Sequence, residues 1–244
     1  KDVFTHTYAP RVVDGWAYGL NWGLVGVGSD NSRGSFDNIA VQVLPPQLTF
    51  SETEDFSDGV ADRFTGGQSG SWSVAGGTYV VQGGTGALVS LMDLGVTSLN
   101  VGSLLDLTAT VNTQGRAGIV FDRYSADNFK FAALDAASDQ LLIGHYTAKS
   151  GWVVDASFNK VIDAGVDYML NVTLKGTTVG VTLTSPNKSQ VTIGYAFNAA
   201  TVDGAFGLLS AGTASVFDNF TIKTDDRAFT ADSGASLVSA ATSD

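Results

Sequence analysis

Apolar and polar residues alternate with a period of two along most of this chain, and that pattern limits what it can fold into. Clear cases are Leu107-Thr108-Ala109-Thr110-Val111, Tyr168-Met169-Leu170-Asn171-Val172-Thr173-Leu174 and Val179-Gly180-Val181-Thr182-Leu183. Successive side chains of a strand point to opposite faces, so each run yields one apolar and one polar face. The runs are bounded by Gly, Asn, Asp or Ser, and Gly176-Thr177-Thr178 reads as a hairpin turn. Only a short stretch such as 132–138 competes as a helix, and its neighbours favour strand and turn. Short strands with turn signals roughly every 8–12 residues specify an all-β sandwich.

Composition excludes the main competitors. Glycine supplies 29 of the 244 residues, and of the 24 acidic residues only Glu52 and Glu54 are glutamate, the other 22 being aspartate. Aspartate and glycine build turns, whereas glutamate and lysine build exposed helical faces, so a helical bundle is excluded. The absence of cysteine removes disulfide frameworks, zinc ribbons and thiol catalysis. No apolar run approaches the ~20 residues of a spanning helix, and the first residues lack a basic-then-apolar signal pattern. A net charge of -11 argues against nucleic acid or an anionic membrane as partner.

The chain also echoes itself. Val13-Asp14-Gly15, Gly23-Leu24-Val25-Gly26 and Phe36-Asp37-Asn38-Ile39-Ala40-Val41 are matched in order by Val202-Asp203-Gly204, Gly207-Leu208-Leu209 and Phe217-Asp218-Asn219-Phe220-Thr221-Ile222. Repeated patterns signal repeated units. Residues 1–47 therefore read as the terminal strands of a preceding partial repeat, ending in the Pro45-Pro46 linker, with coincidence between two Gly-rich hairpins as the alternative. Residues 48–224 read as a complete sandwich, and 225–244, rich in Ala, Ser, Thr and Asp, as a linker or tail. The apolar segment 13–43, with Trp16, Trp22, Phe36, Ile39 and Val41, is too apolar to stand as a free hairpin. It is expected to pack within the chain or to pair with another chain.

Several patterns carry a family likeness. They are Glu54-Asp55-Phe56-Ser57-Asp58-Gly59, Gly70-Ser71-Trp72-Ser73-Val74, Ala117-Gly118-Ile119-Val120-Phe121 through Asp127-Asn128-Phe129-Lys130-Phe131, Gly151-Trp152 and Phe217-Asp218-Asn219-Phe220. With these, residues 51–222 resemble the concanavalin A-like, laminin-G-like jelly-roll modules of bacterial secreted and surface proteins, adhesins among them. The resemblance implies a jelly-roll β-sandwich, a secreted or cell-surface setting and neighbouring repeat domains. It leaves function open, because the fold hosts lectins, glycosidases, lyases and spacers alike.

The residues offer four chemistries. Glycoside hydrolysis needs two facing carboxylates; Glu52 and Glu54 alternate, but lie at the domain's start and depart from the Glu-x-Asp-x-x-Glu pattern of the fold's glycosidases. A lyase cluster of His145, Tyr146, Arg116 and Arg123 lacks any motif that would bring the side chains together. Calcium takes six to eight oxygens from Asp, Asn, Glu and carbonyls. The resemblance points to Glu54 and Asp55 near the start and Asp218 near the end as a calcium clamp between first and last strands, with Asp37 as the equivalent in the partial repeat. The bland reading is that these aspartates form Asx-turns. Glycan binding, finally, uses exposed aromatics with polar partners, and Trp152, Tyr146, Tyr124 and Arg123 near hairpin ends are the candidates, with polysaccharide or cell-surface glycan as partner. Trp72, alternating with Val74, reads as core. Three glycosylation sequons, at Asn171, Asn187 and Asn219, carry no weight in a chain of bacterial character. The expectation is a non-catalytic binding or spacer module; the alternative is a polysaccharide-degrading enzyme of the same fold.

Overall fold

At Leu104–Thr113 the alternating pattern becomes packing: Leu105, Leu107, Ala109, Val111 and Thr113 are buried, while the residues between them are only half-buried. Each fully buried aliphatic side chain of this kind contributes about 1.5–3 kcal/mol relative to exposure, so a one-residue slip of this strand would turn five buried positions into water.

The computed structural model describes residues 11–13, 16–18, 27–31, 33–39, 48–96 and 98–229, and the chain forms two compact units, Lys1–Gln47 and Leu48–Asp244. In the first unit β1 (Arg11–Val13) pairs antiparallel with β2 (Trp16–Tyr18). Residues 27–31 and 33–39 lie in no strand, with Val27, Phe36 and Ile39 exposed. This departs from the expected strand through Phe36–Ile39: alternation alone makes no ladder, and none of the described residues pairs with this segment. The rest of the expected 13–43 hairpin lies outside the described residues.

The second unit contains β3 (Phe50–Glu54), β4 (Gln68–Ser69), β5 (Trp72–Ala75), β6 (Thr78–Val81), β7 (Ala87–Leu91), β8 (Leu104–Thr113), β9 (Arg116–Ser125), β10 (Asn128–Asp135), β11 (Gln140–Thr147) and β12 (Gly151–Asn159). They are followed by β13 (Tyr168–Lys175), β14 (Thr178–Thr184), β15 (Gln190–Ala196), β16 (Ala205–Ala211), β17 (Ser215–Thr224) and a 3-10 turn over Arg227–Phe229. One sheet has seven strands in the order β12-β11-β10-β9-β16-β7-β4. The other has eight: β15-β14-β13-β8-β17-β6-β5, with β3 also on β17. The pairings are antiparallel throughout, and the two sheets stack as a jelly-roll β-sandwich. The β13–β14 hairpin turns at Gly176-Thr177, with Lys175 opposite Thr178; Gly176 has φ 57, which a tight primed turn requires.

The main core lies between the sheets and includes Leu107, Val172, Val181, Ile119, Phe121, Ile143, Phe217 and Phe220. Trp72 packs on it as expected: it is half-buried, its ring lies against Tyr79 and Phe217, and Nε1 donates to the Ser69 carbonyl at 2.9 Å. A second apolar cluster, with Val120, Phe129, Phe131, Leu142 and Leu209, uses the opposite face of the seven-stranded sheet.

The expected tail from residue 225 needs correcting. Asp226 is buried, its Oδ2 accepting from Asn100 N at 2.5 Å and Ser103 Oγ at 2.9 Å. Phe229 is 0% exposed and stacks on Phe50 with ring centroids 4.9 Å apart. Polar composition concealed one large ring and one buried carboxylate, so residues 225–229 belong to the sandwich. Residues 230–244 lie outside the described residues.

The two Phe-Asp-Asn segments share a local conformation. Asn38 and Asn219 have φ 54 and φ 50, and each amide donates to the preceding aspartate Oδ1, at 2.8 and 2.7 Å. In β17 this conformation falls where the ladder to β8 shifts register between Asp218 and Thr221. A left-handed residue there provides the bend that lets one strand continue past a bulge.

Candidate functional site

Edge strands of the two sheets approach each other along one side of the sandwich, β12 from the seven-stranded sheet and β15 from the eight-stranded. β15 alternates strictly, with Val191, Ile193 and Tyr195 turned toward the core and polar or small residues between them exposed. Phe197, immediately beyond β15, is tied down by its amide donating to the Thr177 carbonyl at 2.9 Å. Between this edge and β10–β12 lies a cleft of about 470 Å³, lined among others by Lys130, His145, Asp155, Tyr195, Phe197 and Asn198.

The cleft combines aromatic faces with hydrogen-bonding groups. Tyr195 and Phe197 form an edge-to-face pair with centroids 4.8 Å apart. The Lys130 ammonium lies 5.0 Å from the Phe197 ring centre and is also held by Asp122 Oδ2. His145 Nδ1 and Asp155 Oδ2 are 2.6 Å apart. The pairing rungs run from Ile143–Ala156 to Gly144–Val154, so Asp155 is an extra residue in β12. That bulge aims its carboxylate at the imidazole. Chemically, the arrangement offers the edges and faces of two aromatic rings beside donors and acceptors.

The expected glycan residues are distributed differently. The ladder brings Ser125, Asn128, Thr147 and Gly151 to one end of the seven-stranded sheet, so Tyr124, Tyr146 and Trp152 share that end. Tyr146, however, packs on the second apolar cluster, the face opposite His145. Its ring stacks on Phe129 at 5.1 Å, and Trp152 sets its edge against Tyr146 at 5.3 Å and Phe131 at 5.1 Å. Both rings are half-buried and engaged by neighbours. Tyr124 is 59% exposed, and its phenol is held well above the usual tyrosine range by burial of the hydroxyl and by Asp122 and Asp203. Arg123 is half-buried, and desolvation lowers its pKa. Of the four, only Tyr146 and Trp152 touch in ring contacts.

The residues considered for catalysis have structural partners. Glu52 Oε1 accepts from Arg63 Nε at 2.9 Å, and Glu54 accepts from the amides of Phe56 at 2.9 Å and Asp62 at 3.0 Å. Glu54 thereby fastens the turn in which Phe56, fully buried, adopts φ 55. Arg116 pairs with Asp135 at 2.9 Å and covers the Trp152 ring at 5.6 Å. With Tyr146 on the other face of the sheet, His145, Tyr146 and Arg116 do not converge.

The first and last strands do pair, Glu54 lying opposite Phe220 in the β3–β17 ladder. The three carboxylates expected to hold calcium are engaged by donors: Asp55 Oδ1 accepts from Ser57 N at 3.0 Å, and Asp218 accepts from Asn219 N at 2.7 Å and Nδ2 at 2.9 Å. Burial pushes the Glu54 carboxyl up, its amide bonds opposing; Ser57 holds Asp55 down. Burial also raises Asp218, and the charges of Asp55 and Asp167 add to the rise. Among the described residues no three or more His, Asp or Glu side chains converge in a group able to hold a metal ion. Glu54, Asp55 and Asp218 each accept from main-chain amides of nearby turns.

The cleft itself was missed in the sequence. Val191, Ile193, Tyr195 and Phe197 continue one alternating run, and that is the signal from which the aromatic pair could have been found.

The sequence matches no family model and no curated protein. Among solved structures it is similar to the carbohydrate-binding module CBM66 from Bacillus subtilis, with TM-score 0.52 and 19% identity over 71% of this chain and 96% of that one. It is also similar to the metal-free form of lectin I-B4 from Griffonia simplicifolia, at TM-score 0.49, 12% identity and 71% and 98% coverage. Peanut lectin follows at 0.48, 11%, 71% and 97%. Together with the two stacked antiparallel sheets, the likeness to the Bacillus module gives the fold as a concanavalin A-like jelly-roll β-sandwich.

Proposed function

We propose that the sandwich is a non-catalytic glycan-binding module and that the cleft between β10–β12 and β15 is where the saccharide sits. The observation that carries this reading is the Tyr195–Phe197 pair set beside Lys130, His145, Asp155 and Asn198 in one open cleft. Sugar rings have apolar C–H faces that stack on aromatic rings and a belt of hydroxyls that seek donors and acceptors. A cleft of about 470 Å³ falls in the size range of small-ligand sites. The fold supports the same class, since the Bacillus structure it resembles is a carbohydrate-binding module. The net charge of -11 favours neutral glycans over polyanionic ones. A secreted or surface protein with neighbouring repeats, of adhesin type, is the setting in which such a module operates.

The test is a glycan array probed with the intact chain, with and without calcium, followed by titration of the best ligand against Phe197→Ala. Binding weakened by an order of magnitude in a folded variant supports the cleft. Unchanged affinity moves the site elsewhere.

A further inference from the structure

The cleft wall contributed by the seven-stranded sheet is a small polar patch set by the β10–β11 ladder. Lys130 lies directly opposite His145, and Asn128 directly opposite Thr147. Residues two apart on a strand share a face, as do residues opposite each other on neighbouring strands. These four side chains therefore project to one side, each opposed pair with Cβ atoms about 4.5–5.5 Å apart. All four line the cleft, as does Asp155 from the β12 bulge, with the Tyr195 and Phe197 rings contributed from the other sheet's edge.

Within this patch the two basic side chains are drawn to opposite flanks. In the sheet order β12-β11-β10-β9, Lys130 on β10 is held from β9, where Asp122 Oδ2 meets its ammonium. His145 on β11 is held from β12, with Asp155 Oδ2 at 2.6 Å from Nδ1. An ionised carboxylate can only accept, so a neutral imidazole facing it carries its proton on Nδ1 and presents Nε2 as an acceptor. Nε2 has no hydrogen-bond partner among the described residues and is not buried. An ammonium has three N–H groups, so the single Asp122 oxygen leaves Lys130 with donors to spare. The patch thus presents a donor and an acceptor side by side without converging. Each base is matched by an acid, so the pair offers hydrogen bonds without surplus positive charge.

We propose that Lys130 and His145 read a vicinal diol of a neutral sugar, one hydroxyl accepting from the ammonium and its neighbour donating to His145 Nε2. Asp155 is the positioning residue that fixes the imidazole proton. This diol site rests on the glycan reading of the cleft and adds the hydroxyl chemistry that the saccharide must carry. One hydroxyl would have to serve two groups drawn to opposite flanks, whereas two adjacent ring hydroxyls meet one each. The C–H face of the same sugar is left to the Tyr195–Phe197 pair. A carboxylated sugar gains nothing here, because Asp122 and Asp155 offset the two bases. Blocking either hydroxyl leaves its protein partner unpaired, which is how hydrogen-bonding sites reject analogues.

The experiment probes the intact chain with an array of neutral glycans bearing a free vicinal diol, each printed beside its mono-O-methyl derivatives. Methylation of either hydroxyl is expected to weaken binding about tenfold, a comparison that needs no variant. Asp155→Asn supplies the second arm, because an amide there can donate to Nδ1 and move the imidazole proton to Nε2. It is expected to weaken binding of the free diols about tenfold. Nitrogen NMR of the His145 ring at about pH 8, where an ordinary histidine is neutral, should show the Nδ1–H tautomer in the parent and Nε2–H in Asp155→Asn. Binding that Phe197→Ala abolishes, but that methylation and Asp155→Asn leave unchanged, overturns the diol site and keeps the glycan reading. A parent ring with its proton on Nε2 likewise overturns the diol site alone. Absence of binding to every glycan on the array overturns the glycan reading and the diol site with it.

Discussion

Asp155 Oδ2 lies 2.6 Å from His145 Nδ1 because β12 carries one more residue than β11 between two rungs of their ladder. Without that bulge the strand would continue its regular alternation, and the cleft would lose its orienting acid. With it, the imidazole is fixed at the cleft wall while Tyr146, one residue on, serves the opposite face.

Aromatic residues on the two faces of β11 and its neighbours should separate by experiment. Phe197→Ala and Tyr195→Ala are expected to weaken saccharide binding about tenfold each, with modest effects on stability. Trp152→Ala, which removes a ring from the Phe129–Phe131–Tyr146 stack, is expected to cost about 3 kcal/mol of stability and leave affinity in the folded protein nearly unchanged. Calorimetric titration paired with urea unfolding checks both. Lost affinity in a stable Trp152→Ala protein would place the sugar on the Trp152 face.

The C-terminal boundary is testable by truncation. A chain ending at residue 224 should unfold at markedly lower urea than one ending at 229. Phe229→Ala alone is expected to cost about 3–4 kcal/mol, because it empties the space against Phe50. Equal midpoints for the two truncations would return residues 225–229 to the tail.

Asp218 predicts a pH dependence. Burial and the charges of Asp55 and Asp167 raise its carboxyl above the ordinary value. For an acid with a raised folded pKa, ionisation costs stability above that pKa, and the cost is relieved as pH falls through it. Asp218→Asn should therefore stabilise the protein near pH 7, by about 0.5 kcal/mol for a partly exposed group. The advantage over the parent should vanish below about pH 4, where the parent is protonated. Unfolding midpoints at the two pH values decide it; a variant less stable than the parent at pH 7 would show that the Asn219 contacts outweigh the repulsion.

The module should not turn over polysaccharide. β-Glucans, alginate and galactans incubated with the chain are expected to release no product, since Glu52 and Glu54 are engaged by Arg63 and by backbone amides and His145 shares no face with Tyr146. Reducing-end release that disappears in His145→Ala would instead make the His145–Asp155 pair the centre of an enzyme.

Sequence by itself determined the sandwich and much of its packing. The runs around Leu107, Val172 and Val181 have one allowed face each, and Gly176 allows the tight turn between two of them. Alternation is a local property, so it survives reading along the chain. The sites are not local. Tyr195 and His145 line one cleft from two sheets, Gly204 comes against Asp122 only through the β9–β16 junction, and Asp155 faces His145 only because of a bulge. The calcium expectation at Glu54, Asp55 and Asp218 is what the family resemblance implies; the first and last strands are neighbours, but whether a carboxylate is free for a ligand depends on which amide points at it. Composition also hid Phe229 in a polar tail, since a single ring can anchor a segment that no pattern marks. Local periodicity determined the strands, while tertiary structure decided which polar atoms found partners.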